Sequence, residues 1–382
     1  MMKLHFLFYI CFLSIIQLKA QSVVASDKFN LPAIIKETSG LINYGNKLIT
    51  HNDSGNAPEL YEINTLNGSI NRTVTITNAT NVDWEDIGQD DTYIYIGDIG
   101  NNNGNRLDLK FYRILKTDFD SSTNVTADII NYSYANQTDF TSNPNNNDWD
   151  AEGFVIYGNH ILIFSKNWVN NEVDVYALPN SIGTQSAIKV SNYNAQGLIT
   201  GADIVGSNKI YLCGYSQDNG TPFLIEIYNL NVSTPSNLDV FANSDAVKLN
   251  NFLPFGNQVE GICFIETDGA TDTLYISNEE LSITTPILFT FPSKLRALTV
   301  DNSTLSTSGF EGDDNLKLYP NPFQNIIKLN NKADKIKIFD SLGNCVLEKD
   351  FTNTVNTSQL ASGFYVISIK YKNSIIKKKI LK

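Results

Sequence analysis

Three glutamates, Glu85, Glu152 and Glu260, recur at the same point of a repeated pattern: Glu85-Asp86-Ile87, Glu152-Gly153-Phe154 and Glu260-Gly261-Ile262. Each is followed by an apolar run that ends in a polar turn, with Asp98 and Asn102 in the first, Lys166 and Asn167 in the second, and Asn278 and Glu279 in the third. Two further copies run from Ser39-Gly40-Leu41 to His51-Asn52-Asp53 and from Gly201-Ala202-Asp203 to Gly214-Tyr215-Ser216, with Asp203 aligned on Asp86. Carboxylate and amide oxygens gathered this way suit a hard divalent cation, Ca2+ before others. Glu85, Glu152 and Glu260 are therefore the candidate metal ligands, with Asn102, Asn167 and Asn278 as amide ligands; Asp53, Asp98 and Glu279 are candidate ligand-binding residues. The competing reading is that these acids accept backbone N–H bonds in tight turns. His51, near Ser39 and Asp53, is the one candidate catalytic residue, as a general base. No G-x-S-x-G or other nucleophile context accompanies it, so a polar turn is the alternative there too.

Strands must position these groups. In Tyr93-Ile94-Tyr95-Ile96 the tyrosines point one way and the isoleucines the other, so both faces are apolar and both must be covered. Each copy continues into a third strand: Glu59–Ile63, Lys110–Leu115, Val173–Leu178, Phe223–Tyr228 and Ile287–Phe291. Most add a fourth: Ile70–Thr77, Ala127–Tyr134, Ser186–Ser191 and Asn237–Phe241. Repeated four-stranded antiparallel units predict an all-β chain whose large domain is a five-bladed β-propeller. The segment Phe29–Ile35 would supply the missing strand of the last unit and close the ring. A six-bladed ring is the alternative, with a degenerate blade in Ala127–Asn147 or Leu295–Thr307. A β-sandwich fits less well, because sandwiches do not repeat a four-strand unit. Antiparallel pairing puts the start of each first strand beside the end of the second, so the carboxylates should converge on one mouth of a central channel. His160 falls in the opposite hairpin, and Trp84 and Trp149 read as wedges between blades, or as the floor of a sugar site.

Charge is unevenly distributed. The 382-residue chain carries −12, yet its last 67 residues hold 12 Lys against Asp334, Asp340, Glu348 and Asp350, which leaves about −20 on the rest. An acidic large domain argues against nucleic acid and against an anionic membrane surface. Of four cysteines, Cys11 lies in the leader; Cys213, Cys263 and Cys345 are an odd number with no disulfide framework, although a Cys213–Cys263 bridge is conceivable.

Residues 1–20 read as a secretory signal peptide: Lys3, the apolar run Phe6–Ile16, and cleavage after Ala20. No other run is long and apolar enough to cross a membrane. The β-propeller domain is expected over 21–300, a Ser/Thr/Gly/Asp-rich linker over 301–315, and a small β-sandwich over 316–382. The last segment carries Tyr319-Pro320-Asn321-Pro322, the turn Ile338-Phe339-Asp340-Ser341-Leu342-Gly343, the run Leu360-Ala361-Ser362-Gly363-Phe364-Tyr365 and a Lys-rich end. These ordered motifs closely resemble the type A C-terminal sorting domain of the Bacteroidota type IX secretion system. The resemblance implies Sec export, docking of 316–382 on the secretion machinery, and release or display at the outer-membrane cell surface. The E-G and E-D starts also resemble, more distantly, an uncharacterised propeller family joined to this tail and the calcium-dependent lactonase and esterase-like phytase propellers. Together these readings predict an exported monomer that binds a small-molecule, glycan or protein ligand at an acidic mouth. The alternative is a metal-dependent hydrolase of esters, lactones or phosphoesters.

Overall fold

A computed structural model of the chain describes residues 22–230, 238–242, 244–250, 252–284, 288–302, 317–340, 345–372 and 374–382. They fall into two units, one within Ala20–Ser303 and one within Thr304–Lys382. Both are nearly all-β.

The larger unit contains five four-stranded arrays in chain order. Sheet I is Thr38–Tyr44, Lys47–Asn52, Glu59–Ile63 and Ile70–Ile76, with Asn124–Val125 added at its edge. Sheet II is Trp84–Gln89, Tyr93–Asp98, Lys110–Leu115 and Asp128–Tyr134. Sheet III is Ala151–Tyr157, His160–Ser165, Val173–Pro179 and Gly183–Tyr193. The last strands of II and III pair in parallel, which fuses them into one eight-stranded sheet. Its two end strands, Trp84–Gln89 and Ala151–Tyr157, lie against each other, so this sheet is nearly closed and barrel-like. Sheet IV is Leu198–Val205, Lys209–Tyr215, Pro222–Tyr228 and Asp245–Asn250. Sheet V is Val259–Asp268, Thr271–Asn278, Lys294–Asp301 and, as its last strand, Ser22–Asn30 from the other end of the unit.

The apolar faces are covered pairwise. Ile42, Ile49 and Leu60 of sheet I meet Trp84, Ile94 and Ile96 of sheet II. Tyr95 and Phe111 on the other face of II meet Phe154 and Ile163 of III. Val155 and Leu162 of III meet Ile210 and Leu212 of IV, and Tyr211 and Leu224 of IV meet Ile262 and Leu274 of V. Finally Cys263 and Leu295 of V meet Leu41 and Leu48 of I. Each sheet is therefore sandwiched by two others, which is why its middle strands are apolar on both sides. The first strands contact one another in the same cyclic order, V returning to I.

At that contact the backbones come closer than a side chain allows. A Cβ on Gly40 would overlap the Ile87 nitrogen, one on Gly201 the Glu260 carbonyl oxygen, and one on Gly261 would fall 2.6 Å from the Ser39 carbonyl oxygen. Hydroxyls and carboxylates stitch the strands together. Ser39 Oγ donates to the Glu85 carbonyl and Thr200 Oγ1 to the Val259 carbonyl, both at 2.5 Å. Asp86 occupies the place where the other first strands carry glycine. Its Oδ2 accepts the Phe154 N–H at 3.1 Å and the Ala202 N–H at 3.3 Å, reaching sheets III and IV.

Several expectations need correction. The closing strand is Ser22–Asn30 rather than Phe29–Ile35, because Pro32 ends it and Ala33–Ile35 forms a 3-10 turn. The fourth strand of sheet IV is Asp245–Asn250; of the expected Asn237–Phe241, residues 238–241 form a turn in which Asp239 accepts the Phe241 and Ala242 N–H groups, and Asn237 lies outside the described residues. The third strand of sheet V is Lys294–Asp301, so the described part of Leu295–Thr307 belongs to sheet V, and 303–307 lie outside the described residues. Leu288–Phe291 instead pairs with Leu281–Thr284 in a separate hairpin, and Ile287 lies outside the described residues. Ala127–Asn147 contributes one strand to sheet II and no sheet of its own. Most of the expected linker, 303–315, lies outside the described residues. Cys213, Cys263 and Cys345 are free thiols, the first two buried. Among the described residues no helix is long and apolar enough to cross a membrane.

The smaller unit is a five-stranded antiparallel sheet: Leu318–Tyr319, Ile326–Phe339, Cys345–Asn356, Phe364–Tyr371 and Ser374–Leu381. A register break between Lys328 and Ala333 divides its long second strand. Phe323, Ile327, Leu329, Ile336, Ile338, Ile367 and Ile369 form its core.

Replacing Gly201 by Ala puts a methyl group against unyielding backbone in a well-packed interior. The expected cost is roughly 1–3 kcal/mol, read from denaturant unfolding; an unchanged midpoint would contradict backbone-to-backbone packing of the first strands.

Candidate functional site: an acidic mouth

Every first strand carries a register break near its start: between Thr38 and Leu41, Trp84 and Asp86, Ala151 and Gly153, Ile199 and Gly201, and Val259 and Gly261. Such bulges leave one residue unpaired and re-aim its side chain. The residues so placed are Ser39, Glu85, Glu152, Thr200 and Glu260. Register makes Thr200-Gly201 the equivalent of Glu85-Asp86, so Asp203 does not align with Asp86; it lies two residues further on. Just past the partner of each strand's last paired residue before the break, the second strands supply Asp53, Ile99, Lys166, Tyr215 and Glu279.

All of these except Thr200 and Ile99 line one cavity of about 430 Å³. Asp83, Asn102, Trp168 and Gln258 complete much of its wall. The three glutamates thus converge, and Asp53, Glu279 and Asn102 join them. Sheet IV contributes no acid: Thr200 is turned to the Val259 carbonyl, and Tyr215 takes the next place.

Other expected residues lie elsewhere. Asp98 is fully buried behind the wall, where its carboxylate accepts from Arg106 Nη2 at 2.8 Å and from the Asp83 N–H at 3.1 Å. It pairs with Trp84 one residue before the position that lines the cavity in the other sheets, and in sheet II that position is Ile99, buried in the II–III core. Asn167 Oδ1 caps a turn by accepting the Val169 and Asn170 N–H groups. Asn278 is consumed by the carbonyls of Glu279 and Pro292 and by Arg296. His51 does not line the cavity. Its ring stands edge-on to Trp84, centroids 5.7 Å apart, and Nδ1 lies 3.0 Å from the Asn52 carbonyl oxygen. Burial drops its pKa to about 4, so at neutral pH it is an uncharged packing residue. His160 starts the second strand of sheet III, at the end away from Lys166. Trp84 is fully buried between sheets I and II, with Nε1 on the Thr80 carbonyl at 3.1 Å. Trp149 packs on Tyr134 at 5.6 Å within the II–III core.

The electrostatics of the cavity are one-sided. Asp53, Asp83, Glu85, Glu152, Glu260 and Glu279 face a single lining cation, Lys166. Lys166 Nζ donates to Glu152 Oε1 at 2.5 Å and lies 4.9 Å from the Trp168 ring centre and 5.3 Å from that of Tyr215. Burial, the largest single cause, opposes its charge, but Glu152 together with Tyr215, Glu260 and Asp150 outweighs it and holds the Lys166 pKa well above the ordinary value. The acids respond in the opposite sense. Burial first, then mutual repulsion, raises Asp83 to about 7 and Glu279 to about 8. Glu260 is raised to about 7, by burial against the pull of Lys166. Glu85 and Glu152 are pushed well above the ordinary carboxylate range, with burial the largest cause. Asp53 enters as a repelling neighbour for Asp83, Glu85, Glu260 and Glu279, so it sits at the electrostatic centre of the group.

Asp83 was the residue that pattern-reading passed over. It stands two residues before Glu85, at the spacing that returns a strand side chain to the same side, and that signal was available in Asp83-Trp84-Glu85. Trp168 carries the same two-residue spacing from Lys166, and Tyr215 stands at the end of a repeat copy, but the approach of Tyr215 to Lys166 depends on how sheets III and IV pack.

Burial also raises Asp203 to about 7, although it accepts the Phe264 N–H at 2.6 Å and the Ile204 N–H at 2.8 Å. Between the ordinary value of 3.8 and about 7 the folded protein keeps a proton that the unfolded chain releases. Its stabilising effect is present at low pH and is lost as pH rises through that window. Thermal unfolding should therefore show native stability falling more steeply from pH 5 to pH 8 than that of Asp203→Asn; parallel pH profiles would contradict a raised Asp203 pKa.

No curated protein sequence matches the chain. Among solved structures, two extracellular domains from B. thetaiotaomicron, one of a hybrid two-component system and one of a one-component system, cover 90% of the chain. Identity is 10% and 11%, the TM-scores are 0.30 and 0.28, and the chain spans about half of each structure, 50% and 49%. Residues 317–382 match the family model of the secretion system C-terminal sorting domain. The smaller unit is thus a type IX sorting domain, which implies interaction with the secretion machinery and supports export to the cell surface or release.

Proposed function

We propose that the chain is an exported binding protein, displayed or released at the cell surface, whose larger unit is a five-bladed propeller that takes a positively charged ligand at its acidic mouth. The five-bladed reading is supported by the cyclic order of first-strand contacts and by the five apolar cores between successive sheets. No sixth sheet stands between them among the described residues.

The observation that carries the ligand reading is the charge imbalance of the cavity: six carboxyl groups against Lys166. Buried like charges are costly unless an opposite charge offsets them. An incoming cation supplies that offset by displacing the protons that the raised pKa values otherwise retain. Ca2+ belongs to this class of ligand, as do amine-bearing small molecules, amino sugars and basic protein segments. The hydrolase alternative loses its base, because His51 does not line the cavity and burial makes it a weak base.

Two experiments test the proposal. Protease shaving of intact cells should degrade the full chain and spare one lacking 317–382, which stays inside; equal surface exposure would remove the export role of the tail. In thermal unfolding of the purified protein, a panel of inorganic and organic cations should include a class that stabilises it, and Glu260→Gln with Glu279→Gln should weaken that effect. A panel in which no cation raises the melting temperature would overturn the reading of the mouth.

A further inference from the structure

The mouth is not uniformly acidic. On the side of sheet III the charge is already met, because Lys166 holds Glu152 at 2.5 Å and is itself shielded by Trp168 and Tyr215. On the side of sheets I and II it is not. Asp53, at the end of sheet I's second strand, and Asp83 and Glu85, at the start of sheet II, each present a carboxylate oxygen, and these oxygens lie within 4.8 Å of one another.

We infer that Asp53, Asp83 and Glu85 form a divalent-cation site in the mouth, with the ligand chemistry of Ca2+. The inference rests on the reading of the mouth as cation-binding and names the ion and its ligands. Three protein carboxylates with an amide beside them suit the flexible, many-oxygen shell of Ca2+, whereas Mg2+ keeps most of its water and takes one or two carboxylates. The three ligands come from two sheets whose first strands are locked together by the Ser39–Glu85 hydrogen bond. Gly100 keeps the pocket open from below, because a Cβ there would strike both Glu85 Oε1 and the Asp83 carboxylate. Asn102 lines the same cavity and offers an amide oxygen.

A second observation also points to a missing cation. Glu152 and Glu260 line the same cavity, are only 4% and 5% exposed, and each has a carboxylate oxygen, Oε2, without a hydrogen-bond partner. A buried carboxylate oxygen left without a donor is costly. A divalent ion in the same cavity offsets that cost through space without consuming the Lys166–Glu152 pair. Hence the ion site is not the Glu85, Glu152 and Glu260 trio that the repeat alone suggests. Only Glu85 of the three is a ligand, and the other two form the outer field.

Calorimetric titration of the metal-stripped protein tests this. One Ca2+ should bind, with a dissociation constant of about 10⁻⁵ to 10⁻³ M as in extracellular calcium modules, and more tightly than Mg2+. Asp83→Asn and Asp53→Asn should each weaken Ca2+ by about tenfold or more, while Asp268→Asn, exposed in the hairpin at the far end of sheet V, changes it by less than about threefold. Melting of metal-free Asp83→Asn checks that it folds. If it does not, Gly100→Ala, which fills the cradle, replaces it in the same titration. Absence of Ca2+ binding, or binding indifferent to Asp53 and Asp83, overturns the site. If an organic cation then still stabilises the protein through Glu260 and Glu279, the mouth reading survives and only the metal site falls.

Discussion

Five first strands lie so close that their backbones touch. The rest of the larger unit follows from that constraint. Glycine at 40, 153, 201 and 261 permits the approach, and Asp86 occupies the corresponding place in sheet II with a side chain that bonds outward to sheets III and IV. Strands in such contact cannot all continue straight with every residue paired. Each one breaks register at its glycine or aspartate, and in four of the five sheets the bulged residue lines the cavity. The mouth is therefore a by-product of packing. Three of those four residues are glutamates, while Thr200 of sheet IV turns instead to the Val259 carbonyl.

Presentation has an electrostatic consequence. The packing that aims the carboxyl groups also takes them out of water, so burial is the largest cause of every raised carboxyl pKa in the cavity. The fold meets part of this with Lys166, an ammonium held by a carboxylate and two aromatic faces. The remainder is unmet on the side of sheets I and II. A structural role confined to accepting turn N–H bonds, which does describe Asn167, leaves Glu152 and Glu260 each with an unbonded oxygen. The same contrast separates the two aspartates near the axis from the mouth. Asp86 and Asp203 spend their oxygens on backbone N–H groups of neighbouring sheets and act as ties, not as ligands.

Much of this was readable in the residues. Alternation in Tyr93–Ile96 announced a strand covered on both faces, and the repeated E-G and E-D starts located the first strands and the convergence of Glu85, Glu152 and Glu260. The errors were local. Pro32 ends a strand that apolar content extends to Ile35, and Leu288–Phe291, apolar enough for a sheet strand, pairs with Leu281–Thr284 in a separate hairpin. Composition puts Asp98 in the mouth; its pairing with Trp84 instead leaves it one residue short, and the following residue, Ile99, packs into the core.

The sequence alone determined the all-β class, the repeating strand unit, the acidic character of the large unit and, through the ordered motifs of residues 317–382, the sorting tail. These are local or compositional properties, written in side-chain alternation, turn residues and short motifs. Tertiary structure decided which acids share a cavity, that Asp83 joins them, that Lys166 belongs to Glu152, and that His51 and Asp98 are packing and pairing residues. Those outcomes depend on register and on contacts between strands far apart in the chain. A one-residue offset in pairing reverses the direction of a side chain, and nothing in a local stretch of residues records that offset.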